Sequence, residues 1–235
     1  GALVEKILLK YKAKAILIDL ELTNQLSLFY LKNNFPNLRI KSFSKNDINI
    51  FTLSELEKLD IAILTPDIEI ENELKINLII NSRSFAEMEY ETIKDYFSFI
   101  EKNIKDNGFL LNINRYMKKS VGYNISFFRY PYGKNWQTIY SNSSWHQENI
   151  HFLLTKKSLK KDSDIKQTLS EIKKITKIKR KEAFKEFVNK LPNNIYKKMI
   201  LISIELLFNI IESFFPYNIY MHLSKIKYSL MSKKS

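Results

Sequence analysis

Short unbroken apolar runs and helical apolar stripes share the first two thirds of this chain, and long lysine-faced stripes fill the rest. The clearest stretch runs from Ile76 to Tyr116. Ile76-Asn77-Leu78-Ile79-Ile80 is branched, apolar and too short for a helix, which predicts a strand buried on both faces. After a polar turn, Asn81-Ser82-Arg83-Ser84, apolar residues recur at Ile93, Tyr96, Phe97, Ile100 and Ile104, one face of a helix. Asn107-Gly108 predicts its stop, and Phe109-Leu110-Leu111-Asn112-Ile113 a second strand. Strand, crossover helix and parallel strand form one unit, and open α/β sheets bind ligands beyond the carboxyl ends of their strands. Those ends carry Asn81 to Ser84 and Asn114-Arg115-Tyr116, making Arg83, Arg115 and Tyr116 candidates for holding a substrate.

Upstream, residues 1–9 read as a helix, and Lys14 to Leu20 as a buried strand ending in Asp19. An acid at that place in a dinucleotide-type fold accepts hydrogen bonds from ribose hydroxyls, with Leu20 beside it and Glu21 a possible substitute; a plain surface acid is the alternative. Leu22 to Asn34 predicts a helix with Leu26, Phe29 and Tyr30 on one side, and Ser54 to Leu59 a short helix capped by Thr52 or Ser54. Ile61-Ala62-Ile63-Leu64 is a third strand, ending at Thr65-Pro66-Asp67. Downstream, 125–130 and 150–154 are expected to pair antiparallel at the sheet edge. The loop between them holds Trp136, Trp145 and many hydroxyl and amide groups, either a sugar-binding platform or a satellite core.

From Ser158 the pattern becomes basic and amphipathic, with helices stopped at Pro192 and Pro216. The run 199–215 is short of a membrane span and carries Glu205, Asn209 and Glu212 on one face. The chain of 235 residues has a net charge of +13. Residues 156–235 hold 19 Lys/Arg against 7 Asp/Glu, so the basic character belongs to this tail, which is expected to meet an anionic membrane surface, a partner or the sheet domain. Absent cysteine excludes disulfides and thiolate chemistry, and three histidines without paired spacing argue against a metal site. With four glycines, none in a glycine-rich run, the chain itself has no phosphate loop.

The block Asn81-Ser82-Arg83-Ser84-Phe85-Ala86-Glu87-Met88, with Tyr96 and Leu111-Asn112-Ile113-Asn114-Arg115, resembles a family of sugar O-methyltransferases over roughly residues 1–155. These are class I enzymes that use S-adenosylmethionine, often in bacterial surface polysaccharide synthesis. The resemblance implies a Rossmann-like, mostly parallel sheet with an antiparallel edge hairpin over 1–155, lacking its first strand, and leaves 156–235 as a basic helical extension. It makes Gly1 the last glycine of a cofactor loop whose remainder lies upstream. Asp19, Leu20, Asp67, Asn81 and Ser82 become candidate cofactor contacts, Asp67 through the adenine amino group unless its acids merely line a solvated loop. A sugar or glycan precursor would be the acceptor, bound by Arg83, Arg115, Tyr116, Trp136 and Trp145. Glu87 is the candidate base, unless Ser84 to Glu87 is only a capping box, and His146 is the alternative base. The turn after Ile80 lacks the proline-proline-aromatic pattern that grips a flipped base, so no nucleic-acid substrate is expected. Absent a signal pattern, a cytoplasmic enzyme is expected, peripheral at most to the inner membrane face. A non-catalytic module docking through its basic tail remains the other reading.

Overall fold

The computed structural model describes residues 2–11, 13–71, 74–119, 121–158, 164–189, 195–214 and 216–232. The chain divides into two compact units, residues 1–74 and 75–235.

The first unit contains α1 (Ala2–Lys10), β1 (Ala15–Ile18), α2 (Glu21–Asn34), β2 (Ile40–Phe43), β3 (Ile50–Phe51), α3 (Leu53–Glu57), β4 (Ile61–Leu64) and β5 (Glu69–Ile70). β4 lies between β1 and β2 and is parallel to both, with Ile18 and Phe43 in register with Leu64. All four of its residues are buried, as a central parallel strand requires. Ile61 and Ile63 pack under Leu31 of α2, whereas Ala62 and Leu64 meet Phe43 and Phe51 on the other face. Thr52 caps α3, accepting a hydrogen bond from the Glu55 N–H at 3.3 Å. Strand β2 has no clear sequence signal. Its sequence, IKSF, is buried only at its two ends.

The second unit contains β6 (Ile76–Ser82), α4 (Tyr90–Asn103), β7 (Ile104–Arg115), β8 (Met117–Lys119), β9 (Asn124–Ser126), β10 (Trp136–Ser143), β11 (Ile150–Lys157), α5 (Ile165–Asn189), α6 (Ile195–Phe214) and α7 (Tyr217–Ser232). Its sheet runs β10-β11-β7-β6, with β6 and β7 parallel and the other pairs antiparallel. The expected strand, helix and parallel strand are therefore present, and α4 buries Ile93, Phe97 and Ile100 against the sheet. The expectation of a strand buried on both faces is corrected: β6 is the edge strand of its sheet, none of its residues is fully buried and Leu78 is 42% exposed. Both units are α/β, the first with a three-stranded parallel sheet and the second with a four-stranded mixed sheet and a helical C-terminal part.

Two local expectations are corrected. The α4 helix ends at Asn103, ahead of the Asn-Gly pair, because Ile104 turns extended to bury its side chain. Asn107, at φ 64°, instead kinks β7, and Gly108 sits so close to its surroundings that a Cβ would lie 2.8 Å from Ile104 and 2.9 Å from the Lys105 carbonyl. Of the segment 125–130, expected to pair with 150–154, only Ile125 and Ser126 are strand, within β9, which pairs with β8; Phe127–Arg129 form a 3-10 turn that buries Phe127. The antiparallel partners of β11 are β7 and β10, the latter anchored by buried Trp136.

The helices belong to the same compact unit as this sheet. Thr138 and Thr168 meet at 2.7 Å between β10 and α5. Arg180 of α5 reaches Glu212 of α6 at 2.7 Å, and the Tyr217 hydroxyl of α7 donates to the Asn124 carbonyl at 2.5 Å. Among the described residues, no helix is long and apolar enough to cross a membrane.

Candidate functional site

At the carboxyl end of β6 and β7, parallel pairing sets Asn81 beside Asn112. Side chains two apart on a strand share a face, so Asn112 and Asn114 point the same way, and both are fully buried. A buried amide demands partners, and these find one another. Asn114 Nδ2 donates to Asn81 Oδ1 at 2.7 Å and to Asn112 Oδ1 at 2.5 Å, while Asn112 Nδ2 donates to the Tyr132 hydroxyl at 3.2 Å. Asn81 Nδ2 donates to Ser84 Oγ at 2.5 Å. Backbone N–H groups of Phe85 and Ala86 approach Asn81 Oδ1 and Asn114 Oδ1, each at 3.4 Å. This carboxamide ladder fixes the turn over 81–86, and buried Phe85 pins it to the core among Tyr96, Phe97 and Tyr130.

Within that turn Arg83 adopts φ 66°, a left-handed conformation that costs an L-residue about 1–2 kcal/mol. Its N–H donates to the Ile113 carbonyl at 2.7 Å, and its guanidinium donates to the Gln147 side-chain oxygen. Backbone strain of this kind collects at functional sites. Ser82, the last residue of β6, Arg83 just beyond it, and Arg115, the last residue of β7, are all exposed.

A second polar group adjoins the ladder. His151 of β11 is in register with Asn114 of β7 and with Ser143 of β10. Its Nδ1 meets the Tyr116 hydroxyl at 2.9 Å, and that hydroxyl meets Ser143 Oγ at 2.7 Å. Its Nε2 meets Ser141 Oγ at 3.0 Å. The ring is 1% exposed and lies edge-on to Phe127 at 5.3 Å. Burial pushes the imidazole down to about 4, so it is neutral at pH 7 and links an exposed serine to a buried tyrosine. The sequence signal was available, since Ile150-His151-Phe152 reads as strand, but nothing in one strand shows which hydroxyls face its histidine.

The sequence candidates are distributed as follows. Glu87 stands in a 3-10 turn, Phe85–Glu87, half exposed, and ion-pairs with Lys118. No capping box forms there, because Ser84 is itself helical in backbone and α4 begins only at Tyr90. Trp145 is 90% exposed, and the His146 ring stacks on it at 6.0 Å. Trp136 is a correction: it is completely buried and its indole N–H donates to Glu101, so it forms core rather than a sugar platform. Tyr116 is likewise buried, its hydroxyl turned to His151.

In the first unit, Asp19 follows β1, and its N–H donates to the Leu64 carbonyl at the end of β4. Asp19 Oδ1 accepts from the Leu20 N–H at 2.8 Å, which orients an exposed carboxylate toward solvent. Buried Asn24 braces the same place, donating to the Asp19 and Leu64 carbonyls at 2.8 and 2.9 Å. Leu20 is 69% exposed. Asp67, two residues past Thr65, is held below the usual carboxylate range, chiefly by the Thr65 hydroxyl. Two carboxylates and an apolar side chain thus stand past the ends of adjacent strands β1 and β4, and acceptors of this kind suit the hydroxyl and amino donors of a nucleoside. Gly1 lies outside the described residues. Among the described residues, no group of three or more histidines or acids is placed to hold a metal ion.

In each unit, taken by itself, polar residues stand at the carboxyl ends of parallel strands, the places where α/β proteins bind ligands. Among solved structures, the chain is similar to a crystal structure described as a candidate type 11 methyltransferase from Sulfolobus solfataricus, at 19% identity and a TM-score of 0.34, covering 63% of this chain and 87% of that one. No family model and no curated protein matches the chain.

Proposed function

We propose that the chain is part of a class I methyltransferase that moves a methyl group from S-adenosylmethionine to a hydroxyl of a sugar or glycan precursor. The observation that carries this reading is the Asn81-to-Met88 block, folded as a strained, amide-braced turn at the carboxyl end of a parallel strand. S-adenosylmethionine, when bound, supplies an electrophilic methyl on a sulfonium centre. On this chain, Asp19 would accept hydrogen bonds from ribose hydroxyls, Leu20 would cover one side of adenine, and Asp67 would meet its amino group. Asn81 is engaged with Ser84 and Asn114, so its role is to hold the turn that presents Ser82 and Arg83. Trp145, Arg83 and Arg115 are the exposed residues available to an acceptor sugar.

The acceptor oxygen loses its proton as it is methylated. Glu87 and His146 are exposed groups able to receive it, directly or through water. Most of the rate would come from holding the acceptor in line with the methyl group.

β1 and β6 each end their sheets, and each leaves one edge without a strand partner among the described residues. The family resemblance implies a glycine loop at the cofactor site, and residues 1–235 contain no glycine-rich run to form it. Calorimetry with S-adenosylmethionine on this chain and on one extended upstream tests the reading. Binding by the extended chain, and methyl transfer to a panel of nucleotide sugars, is the expected result. No binding by either chain would overturn it in favour of a non-catalytic docking module.

A further inference from the structure

The α6 helix is oriented against the ordinary rule for a surface helix. Its two acids point inward: Glu212 is 3% exposed and paired with Arg180 of α5, and Glu205 accepts from Lys227 of α7 at 2.6 Å. Phe208 and Ile211 lie on that same inner side, against the core. Opposite them, Met199, Ile200, Leu206, Leu207 and Ile210 are 62, 61, 47, 54 and 53% exposed, with Ser203 in the same stripe. At 100° per residue these positions fall within about one third of the helix circumference, and they run about 16 Å along the axis. The stripe has no charge. It is an apolar face turned to water, with every acid of α6 already neutralised behind it.

We propose that this face lies in the interfacial layer of an anionic lipid bilayer, with α6 parallel to the membrane plane. Charge decides the occupant. Residues 156–235 carry 19 Lys/Arg against 7 Asp/Glu, and Lys166, Lys173, Lys174, Lys177, Lys181 and Lys185 of α5 are all exposed. Lys197 and Lys198 directly precede Met199 in the sequence. A second copy would bring two such tails together and be repelled, whereas anionic headgroups attract the lysines while the acyl layer accepts the apolar stripe. The helix is amphipathic toward lipid and has too little apolar length to cross it. This surface is independent of the methyl-transfer reading.

The test is co-sedimentation of the full chain with vesicles of phosphatidylcholine alone or with 30% phosphatidylglycerol, in low and high salt. Binding to the anionic vesicles at low salt is expected, falling at least 10-fold without the anionic lipid or in high salt. The double variant L207S/I210S, both positions exposed, should keep the wild-type circular dichroism and bind at least 10-fold more weakly. No sedimentation with anionic vesicles at low salt, or equal binding by the variant, would overturn the proposal. So would a lipid-free dimer that L207S/I210S dissolves, since the stripe would then be a contact between copies.

Discussion

Acidification should unlock the sheet of the second unit at His151. In the unfolded chain an imidazole titrates near 6.5, whereas in the fold burial holds this one near 4. Between those values the unfolded state binds more protons than the folded state, so stability rises with pH across the window. The contribution is fully present above about pH 6.5 and is lost as pH falls toward 4. Linkage over that gap gives a loss of about 2 kcal/mol between pH 7 and pH 5, and about 3 kcal/mol by pH 4. The groups facing the ring are Tyr116, Ser141 and Ser143, with Phe127 against its edge, and none of them supplies a compensating negative charge in this range. Carboxylates elsewhere also titrate, so the measurement is a comparison. Urea unfolding of the wild type and of His151→Gln at pH 7, 6, 5.5 and 5 removes their shared contribution. The variant should be the less stable at pH 7, through imperfect hydrogen bonds to Tyr116 and Ser141. The gap should then close by about 2 kcal/mol on going to pH 5. Parallel stability curves would refute the argument and mean that the buried ring does not control acid sensitivity.

Three further outcomes can be checked by denaturation or exchange. Gly108→Ala forces a Cβ against the Lys105 and Ile76 carbonyls, at 2.9 and 3.0 Å, and should cost about 1–3 kcal/mol in urea unfolding. Arg180→Met leaves Glu212 buried without its partner and should cost about 3–5 kcal/mol, seen as faster hydrogen exchange in α6 and α7; adding Glu212→Leu should recover much of it. Arg83→Gly relieves the left-handed backbone and should change stability by no more than about 1 kcal/mol, toward stabilisation. If the proposed function holds, the same substitution lowers methyl transfer by the extended chain, because the guanidinium is lost from the turn.

Strands and helices whose burial matches their own periodicity were legible in the sequence. β4 reads as a buried strand because all four residues are apolar and all four are buried. α4 reads as amphipathic because Ile93, Phe97 and Ile100 are spaced to meet one sheet face. The helix end at Asn103 was not legible, since Asn-Gly provides a stop signal wherever it stands, and only tertiary burial of Ile104 shows that the chain has already become strand. Trp136 misled for a related reason. Lying among turn residues, it resembles a loop aromatic, yet β10 carries it into the core with Glu101 as its partner. The site was half legible. Asn81 and the residues beyond it were found from strand ends, but the link between His151, Tyr116 and Ser141 depends on the register of three strands distant in sequence.

The asparagines beneath the Arg83 turn carry a consequence for how the protein meets a changing environment. A carboxamide neither gains nor loses a proton in the physiological range, and it holds no net charge for salt to screen. The loop they secure should therefore keep one shape from mildly acidic to alkaline buffer, and from dilute to concentrated salt. Its neighbour on β11, His151, has no such immunity, so acid would be felt first inside the sheet at that residue, while the turn itself stays set.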